Sequence, residues 1–245
     1  MIPLRDANPT RGRPVVTIIL IGVCVAIFAV ELAIQANAGD PGLERLFSQF
    51  GLVPARLTGI VGGGRPGLVP SDLPTVVSSM FLHGGWVHLI GNMLYLWIFG
   101  NNIEDRLGGP AFLVFYLVGG VAAAGSQVLV GPRSDVPVIG ASGAIAAVLG
   151  AYLVLYPRAR VLSLVFLGFF YQLLNVPAVI VLGFWFVLQL VDGVASLGVT
   201  SSNGGVALFE HIGGFIAGIV VGLVVRSAGG SGRRPMRSTD GVGVG

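Results

Sequence analysis

The sequence predicts an all-α membrane protein, and three observations carry that prediction. First, 54% of its 245 residues are hydrophobic and only 10% are charged, against roughly 25% charged in a soluble domain. With a mean hydropathy of +0.87, the chain cannot build a water-facing surface, and lipid must be its main solvent. Second, the apolar stretches are long and continuous rather than alternating. That selects helices over the closed barrel, the other structure that satisfies its own backbone in lipid. Third, all 14 basic residues are arginines, and they gather at the chain ends and in short connections, as membrane topology places them. The formal charge of +3 is therefore no nucleic-acid footprint, and no nucleic acid is expected as a partner. Cys24 is the one cysteine, so no intrachain disulfide forms; within the first apolar segment it reads as a small apolar residue.

Residues 1–14 read as a polar cytoplasmic tail holding Arg5, Arg11 and Arg13. The first span runs from Val15 to about Ala36. Ala36-Asn37-Ala38 has the spacing of a leader cleavage site, but the apolar stretch exceeds a signal core and contains Glu31, so it is read as a span. Residues 37–74 form a Gly- and Pro-rich loop. Within it Leu43, Leu46, Phe47 and Phe50 share one face of a short amphipathic helix, lying either at the membrane interface or on the protein itself. Further spans are expected at about 75–99, 111–130, 141–156, 177–198 and 205–226.

The apolar segment Val161–Asn175 is short for a span and is followed by Pro177. Charge decides its place. With six spans, ten arginines (5, 11, 13, 106, 158, 160, 226, 233, 234 and 237) lie on the cytoplasmic side and four (45, 56, 65 and 133) outside. A seventh span sends the arginine-rich tail out, against the positive-inside bias. The expected organisation is a tail over 1–14, a six-helix membrane domain over 15–226 and a disordered Gly-rich tail over 227–245. Both ends are then cytoplasmic, with 161–175 at the interface.

Polar side chains inside membrane helices are costly and mark functional interiors. The second span holds His83, His88 and Asn92; the fourth begins Gly140-Ala141-Ser142-Gly143; the sixth holds Glu210 and His211, then Gly213, Gly214, Gly218 and Gly222. These three spans all run from outside to inside. Ser142 falls in the first turn of its helix, His211 about two turns into its own, and His88 and Asn92 three to five turns into theirs, so all can meet in the outer half of the bilayer. A serine hydroxyl needs a base to become a nucleophile, and histidine titrates near neutrality. The stripe of Gly214, Gly218 and Gly222 permits very close helix packing, while Gly140 and Gly143 keep space beside the serine. His88 and Asn92 are four apart on one helix face and can donate to an oxyanion, as can the free N–H groups at a helix start.

At these residues the chain resembles the rhomboid family of intramembrane serine proteases. The matching stretches are FLHGGWVHLIGNMLYLWIFGNNIEDRLG at 81–108, GASGAIAAVLGAYLVLYPRARV at 140–161 and HIGGFIAG at 211–218. The resemblance implies a six-helix rhomboid-like bundle and a catalytic dyad of Ser142 as nucleophile and His211 as base. It places His88 and Asn92 in the oxyanion hole and His83 in a supporting, water-accessible pocket. Glu104 and Arg106 match a motif at the inner end of the second helix, with a structural role as salt bridge or helix-end cap. No metal and no cofactor is implied, and the partners are the lipid bilayer and transmembrane protein substrates. Two positions depart from the family: Glu210 stands where a small residue is common, and Ala146 where an aromatic often supports the histidine, leaving Tyr152 or another aromatic to do so. The absence of lysine and the abundance of glycine and alanine suggest a GC-rich bacterial genome, and with it a bacterial plasma membrane protein.

Other classes fit less well. A catalytically silent relative lacks the serine or the histidine, a transporter shows internal repeats, and a metalloprotease needs a string such as H-E-x-x-H, which Glu210-His211 does not complete.

Overall fold

The computed structural model describes residues 1–59, 67–167, 170–197 and 208–230. In chain order, the elements begin with β1 (Ile2–Asp6), α1 (Val15–Phe50), α2 (Pro54–Leu57), α3 (Thr75–Ser78), α4 (Trp86–Tyr95) and α5 (Asn101–Leu107). They continue with α6 (Gly109–Val130), α7 (Ser142–Leu155), β2 (Arg160–Leu167), β3 (Phe170–Pro177), α8 (Ala178–Leu197) and α9 (Leu208–Gly230). Among the described residues, α1, α6 and α9 are long and apolar enough to cross a membrane, and α7 and the first part of α8 are shorter apolar helices. The fold is therefore mostly helical, but it departs from the predicted six uniform spans.

Four differences have physical causes. The predicted first span does not stop near Ala36: α1 continues to Phe50 through a kink at Gly39, whose φ of 64° and the following Pro41 bend the axis. The amphipathic stretch Leu43–Phe50 is the far arm of this helix. It is tied to the protein where Ser78 Oγ donates to the Phe50 carbonyl at 2.6 Å and Arg56 donates to the Ser48 carbonyl.

The predicted second span over 75–99 is broken. A short 3-10 turn over Ser79–Phe81 ends α3, and a regular helix restarts only at Trp86, after Gly84-Gly85. From there α4, a wide turn over Leu96–Gly100 and α5 run on as one helical rod to Leu107.

Val161–Asn175 is neither a span nor a helix. It forms a β-hairpin, β2 pairing antiparallel with β3, and β1 from the predicted polar tail pairs with β2. Alternation of apolar residues was absent because most of β3 is exposed along both faces. Finally, α9 reaches Gly230, four residues into the predicted tail; residues 231–245, residues 60–66 of the loop and residues 205–207 of the last predicted span lie outside the described residues.

The core centres on α7. Every residue from Ser142 to Tyr152 is buried, which explains why this helix has no polar stripe: it is enclosed all round. Its closest neighbour is α9. A Cβ added at Gly214 meets the Gly143 carbonyl and lies 3.2 Å from Ala146 Cβ; one at Gly218 falls onto the Ala147 carbonyl; one at Gly222 lies 3.1 Å from Ala151 Cα. From the other side, a Cβ at Gly150 meets the Phe215 carbonyl. The two backbones are in direct contact, as small residues at a helix interface allow.

The end of the bundle away from Ser142 is held by polar groups. Glu104 accepts the Val16 N–H at 2.9 Å, the Thr17 N–H at 2.8 Å and the Thr17 hydroxyl at 2.8 Å. It satisfies the open N–H groups at the start of α1 and places a carboxylate at the positive end of that helix. Of the two roles expected for Glu104 and Arg106, the helix-end cap is the one made; among the described residues Glu104 forms no ion pair with Arg106, which is exposed. Nearby, Asp6 at the end of β1 accepts from Asn102 Nδ2 at 2.7 Å and Tyr152 Oη at 3.0 Å. Burial pushes the Asp6 carboxyl above its ordinary range, and these bonds oppose the shift.

Because Gly218 meets backbone that cannot move aside, Gly218→Ala should cost about 3 kcal/mol of stability. Gly125→Ala on α6, where a Cβ meets nothing within 4 Å, should be neutral or stabilising by less than about 1 kcal/mol. Thermal denaturation of the two variants in detergent reads the difference.

Candidate active site

The close α7–α9 approach places two side chains face to face. Ser142 is the first residue of α7 and His211 lies in the first described turn of α9. His211 Nε2 and Ser142 Oγ are 2.8 Å apart, both residues buried. His211 lies three residues before Gly214, so it shares the face on which that glycine touches Gly143. The hydrogen bond thus follows directly from the glycine stripe. A His211 that accepts the Ser142 hydroxyl proton carries its own proton on Nδ1, which has no partner among the described residues.

The ring of His211 is supported by Trp185 of α8, edge to face with centroids 5.7 Å apart. Of the two alternatives, Tyr152 or another aromatic, it is the second that the structure shows. The Tyr152 hydroxyl is engaged by Asp6 and by Asn8 Nδ2, at 2.7 Å from the latter, at the other end of α7. Tyr152 is ten residues, nearly three turns, beyond Ser142 and cannot reach the histidine. Trp185 was not found from the sequence because nothing in α8 marks which of its apolar residues faces α9.

His88 and Asn92 occupy one face of the rod that begins at Trp86. The break at Gly84-Gly85 puts them at its third and seventh residues, nearer the helix start than the sequence suggested. Gly140 joins this group to Ser142. It has φ +127°, and a Cβ there would lie 2.6 Å from His88 Nε2 and 3.6 Å from Ser142 Oγ. Only glycine serves, for backbone conformation and for space. The Gly84 N–H points at His88 Nδ1, 3.4 Å away. Nδ1 is then the acceptor, and neutral His88 carries its proton on Nε2, facing Gly140 and the serine. Asn92 is buried, and its Nδ2 has no partner among the described residues. His88 Nε2 thus borders Gly140 close to the hydroxyl, Asn92 follows one turn along the same helix face, and the N-terminus of α7 adds backbone N–H groups.

His83 falls in the break itself. Its ring packs edge to face on His88 with centroids 5.2 Å apart. Its Nδ1 faces the Phe81 carbonyl at 3.2 Å, and its buried Nε2 has no partner among the described residues. Gly143 packs against Glu210: a Cβ there would lie 2.7 Å from the Glu210 carboxyl and 2.8 Å from Ala123 Cβ. Glu210 thus packs on the residue that follows Ser142, while its neighbour His211 reaches Ser142 itself. Among the described residues no three His, Cys, Asp or Glu side chains are grouped to hold a metal.

A family model described as the rhomboid domain matches residues 70–228, well over half of the chain and every candidate residue from His83 to His211. The chain belongs to the rhomboid family. As a rhomboid it is a multi-pass membrane protein. It is 29% identical to Rhomboid protease GluP of Bacillus subtilis over 226 residues, covering 91% of this chain and 38% of that protein. It is 28% identical to Rhomboid protein 1, mitochondrial, of Saccharomyces cerevisiae over 163 residues, covering 63% of this chain and 42% of that protein. RHOMBOID-like protein 4 of Arabidopsis thaliana is 32% identical over 150 residues, with 61% of this chain and 33% of that protein covered. The chain therefore spans less than half the length of these relatives.

Gly140→Ala should be poorly tolerated, since it combines a strained φ with a methyl driven into His88. A loss of about 3 kcal/mol in detergent melting is expected, against a small change for Gly91→Ala on the same rod, where a Cβ meets nothing within 4 Å.

Proposed function

We propose that this rhomboid is an intramembrane serine endopeptidase that hydrolyses peptide bonds in or beside the transmembrane segments of other membrane proteins. The observation that carries the reading is the 2.8 Å approach of His211 Nε2 to Ser142 Oγ, with His88 Nε2 bordering Gly140 close by. His211 takes the Ser142 proton as the oxygen attacks the scissile carbonyl. Negative charge then develops on the carbonyl oxygen, where Asn92 Nδ2, His88 Nε2 and the backbone N–H of Ser142 can receive it. Asn92 suits this, because its buried Nδ2 has no partner among the described residues. His211 passes its proton to the leaving amine and the acyl-enzyme forms. A water, deprotonated by the same histidine, then attacks the ester; the serine takes back a proton and leaves. The His83 Nε2, without a partner among the described residues, can hold a water near this pocket.

The length of α7 supports cleavage within the membrane. Its 14 residues span about 21 Å, against a hydrocarbon core of about 30 Å. A helix so short, ending level with its neighbours at the Asp6 and Glu104 side, starts below the other surface. Ser142 then lies inside the outer leaflet, and a substrate helix must unwind locally to present its carbonyl. The arginine distribution supports cytoplasmic ends.

A purified preparation should cut a tagged single-span substrate in liposomes, with Ser142→Ala and His211→Ala both inactive and chelators without effect. Asn92→Ala should lower kcat by a factor on the order of 100 at little change in KM, the behaviour of a lost oxyanion donor. Ser142→Ala cutting at the wild-type rate would exclude the serine mechanism.

A further inference from the structure

Glu31 lies within the first membrane helix, 2% exposed, and the mechanism above makes no use of it. A carboxyl in such a place is costly and needs a reason. Its partner is the main chain at the break before α4: the His83 N–H donates to Glu31 Oε1 at 3.0 Å. That N–H is one the break itself leaves without a helical acceptor. The preceding N–H, of Leu82, still bonds the Ser79 carbonyl at 3.3 Å, and a regular helix does not resume until Trp86.

Around this bond α1 grips the same segment with apolar contacts. Phe28 meets the Trp86 ring edge to face at 5.0 Å, and Cys24, Phe28 and Leu89 form one buried cluster with Phe81 and Met93 packed on it. From His83 the contacts lead directly to the candidate oxyanion donor: the His83 ring lies against His88, and His88 Nε2 borders Gly140 next to Ser142.

We propose that Glu31 is a positioning residue for the reaction: by pinning the His83 main chain it fixes the Gly84-Gly85 break and so holds His88 in place beside Gly140. The first helix thereby becomes part of the active-site scaffold rather than only a membrane anchor. This inference rests on the serine protease reading. What the site requires of residue 31 is an acceptor for a backbone N–H, not a charge. Glutamine keeps that acceptor through its amide oxygen, whereas methionine keeps the length and loses it.

The test compares wild type, Glu31→Gln and Glu31→Met in the liposome cleavage assay, with amide hydrogen exchange over residues 82–88 and detergent melting on the same preparations. The expected result is a kcat at least tenfold lower for Glu31→Met at unchanged KM, faster exchange at 82–88, and a kcat within about threefold of wild type for Glu31→Gln. Glu31→Met cutting and exchanging like wild type overturns the inference while leaving the dyad standing. Glu31→Gln losing as much as Glu31→Met, or Glu31→Met failing to fold while Glu31→Gln is also slow, assigns the residue to general packing and overturns it as well. A wild type that does not cut overturns the protease reading and this inference together.

Discussion

The direct backbone contact between α7 and α9 is the constraint on which the rest of the molecule depends. In lipid there is no hydrophobic effect to drive one helix against another, so association relies on close packing and on polar contacts. Here Gly214 and Gly218 let the α9 backbone rest on the carbonyls of Gly143 and Ala147. One consequence is a serine and a histidine, on two helices and 69 residues apart in sequence, at hydrogen-bond distance. Another is that α7 must be apolar all round, because α9, α6 and the rod beginning at Trp86 enclose it. Function and packing are therefore the same set of contacts seen at two heights along one helix pair.

The other half of the site is built by an interruption rather than by a helix. A continuous second span would have carried His83, His88 and Asn92 along a regular spiral, with their backbone N–H groups used internally. The break at Gly84-Gly85 instead leaves the His83 N–H to a carboxylate on α1 and brings a rod start to the level of Ser142. Irregular backbone at membrane depth is tolerated only where protein surrounds it and supplies the missing partners. Glu31, Gly140 and the packed ring of His83 are those partners, and they share the site with the groups they support.

At the opposite end, the structure spends its polar residues on closure. Glu104 caps α1, and Asp105 Oδ1 accepts the Arg11 and Gly12 N–H groups, each at 3.0 Å. Asp6, Asn8, Asn102 and Tyr152 join the N-terminal strand to α5 and α7. The rod of α4 and α5 is thereby anchored by hydrogen bonds at the end opposite the one that carries His88 and Asn92. The β2–β3 hairpin extends from this anchored end and leads into α8, which carries Trp185 to His211.

Composition and apolar run length alone determined that the chain enters lipid as helices, because too few charges exist to do otherwise. The polar residues stranded within those runs, namely His83, His88, Asn92, Ser142 and His211, were legible as the candidate site for the same reason: each costs free energy unless it has a purpose. The glycine stripe announced close packing, though not against which helix. Tertiary structure decided the break before Trp86, the hairpin at Val161–Asn175, the support of His211 by Trp185 rather than Tyr152, and the bond from Glu31 to His83. Beyond the Gly84-Gly85 pair at the break, none of these has a local signal. A strand exposed on both faces shows no alternation, a helix apolar all round shows no register, and a carboxylate that accepts a backbone N–H from 52 residues away acquires its partner only when the two helices pack.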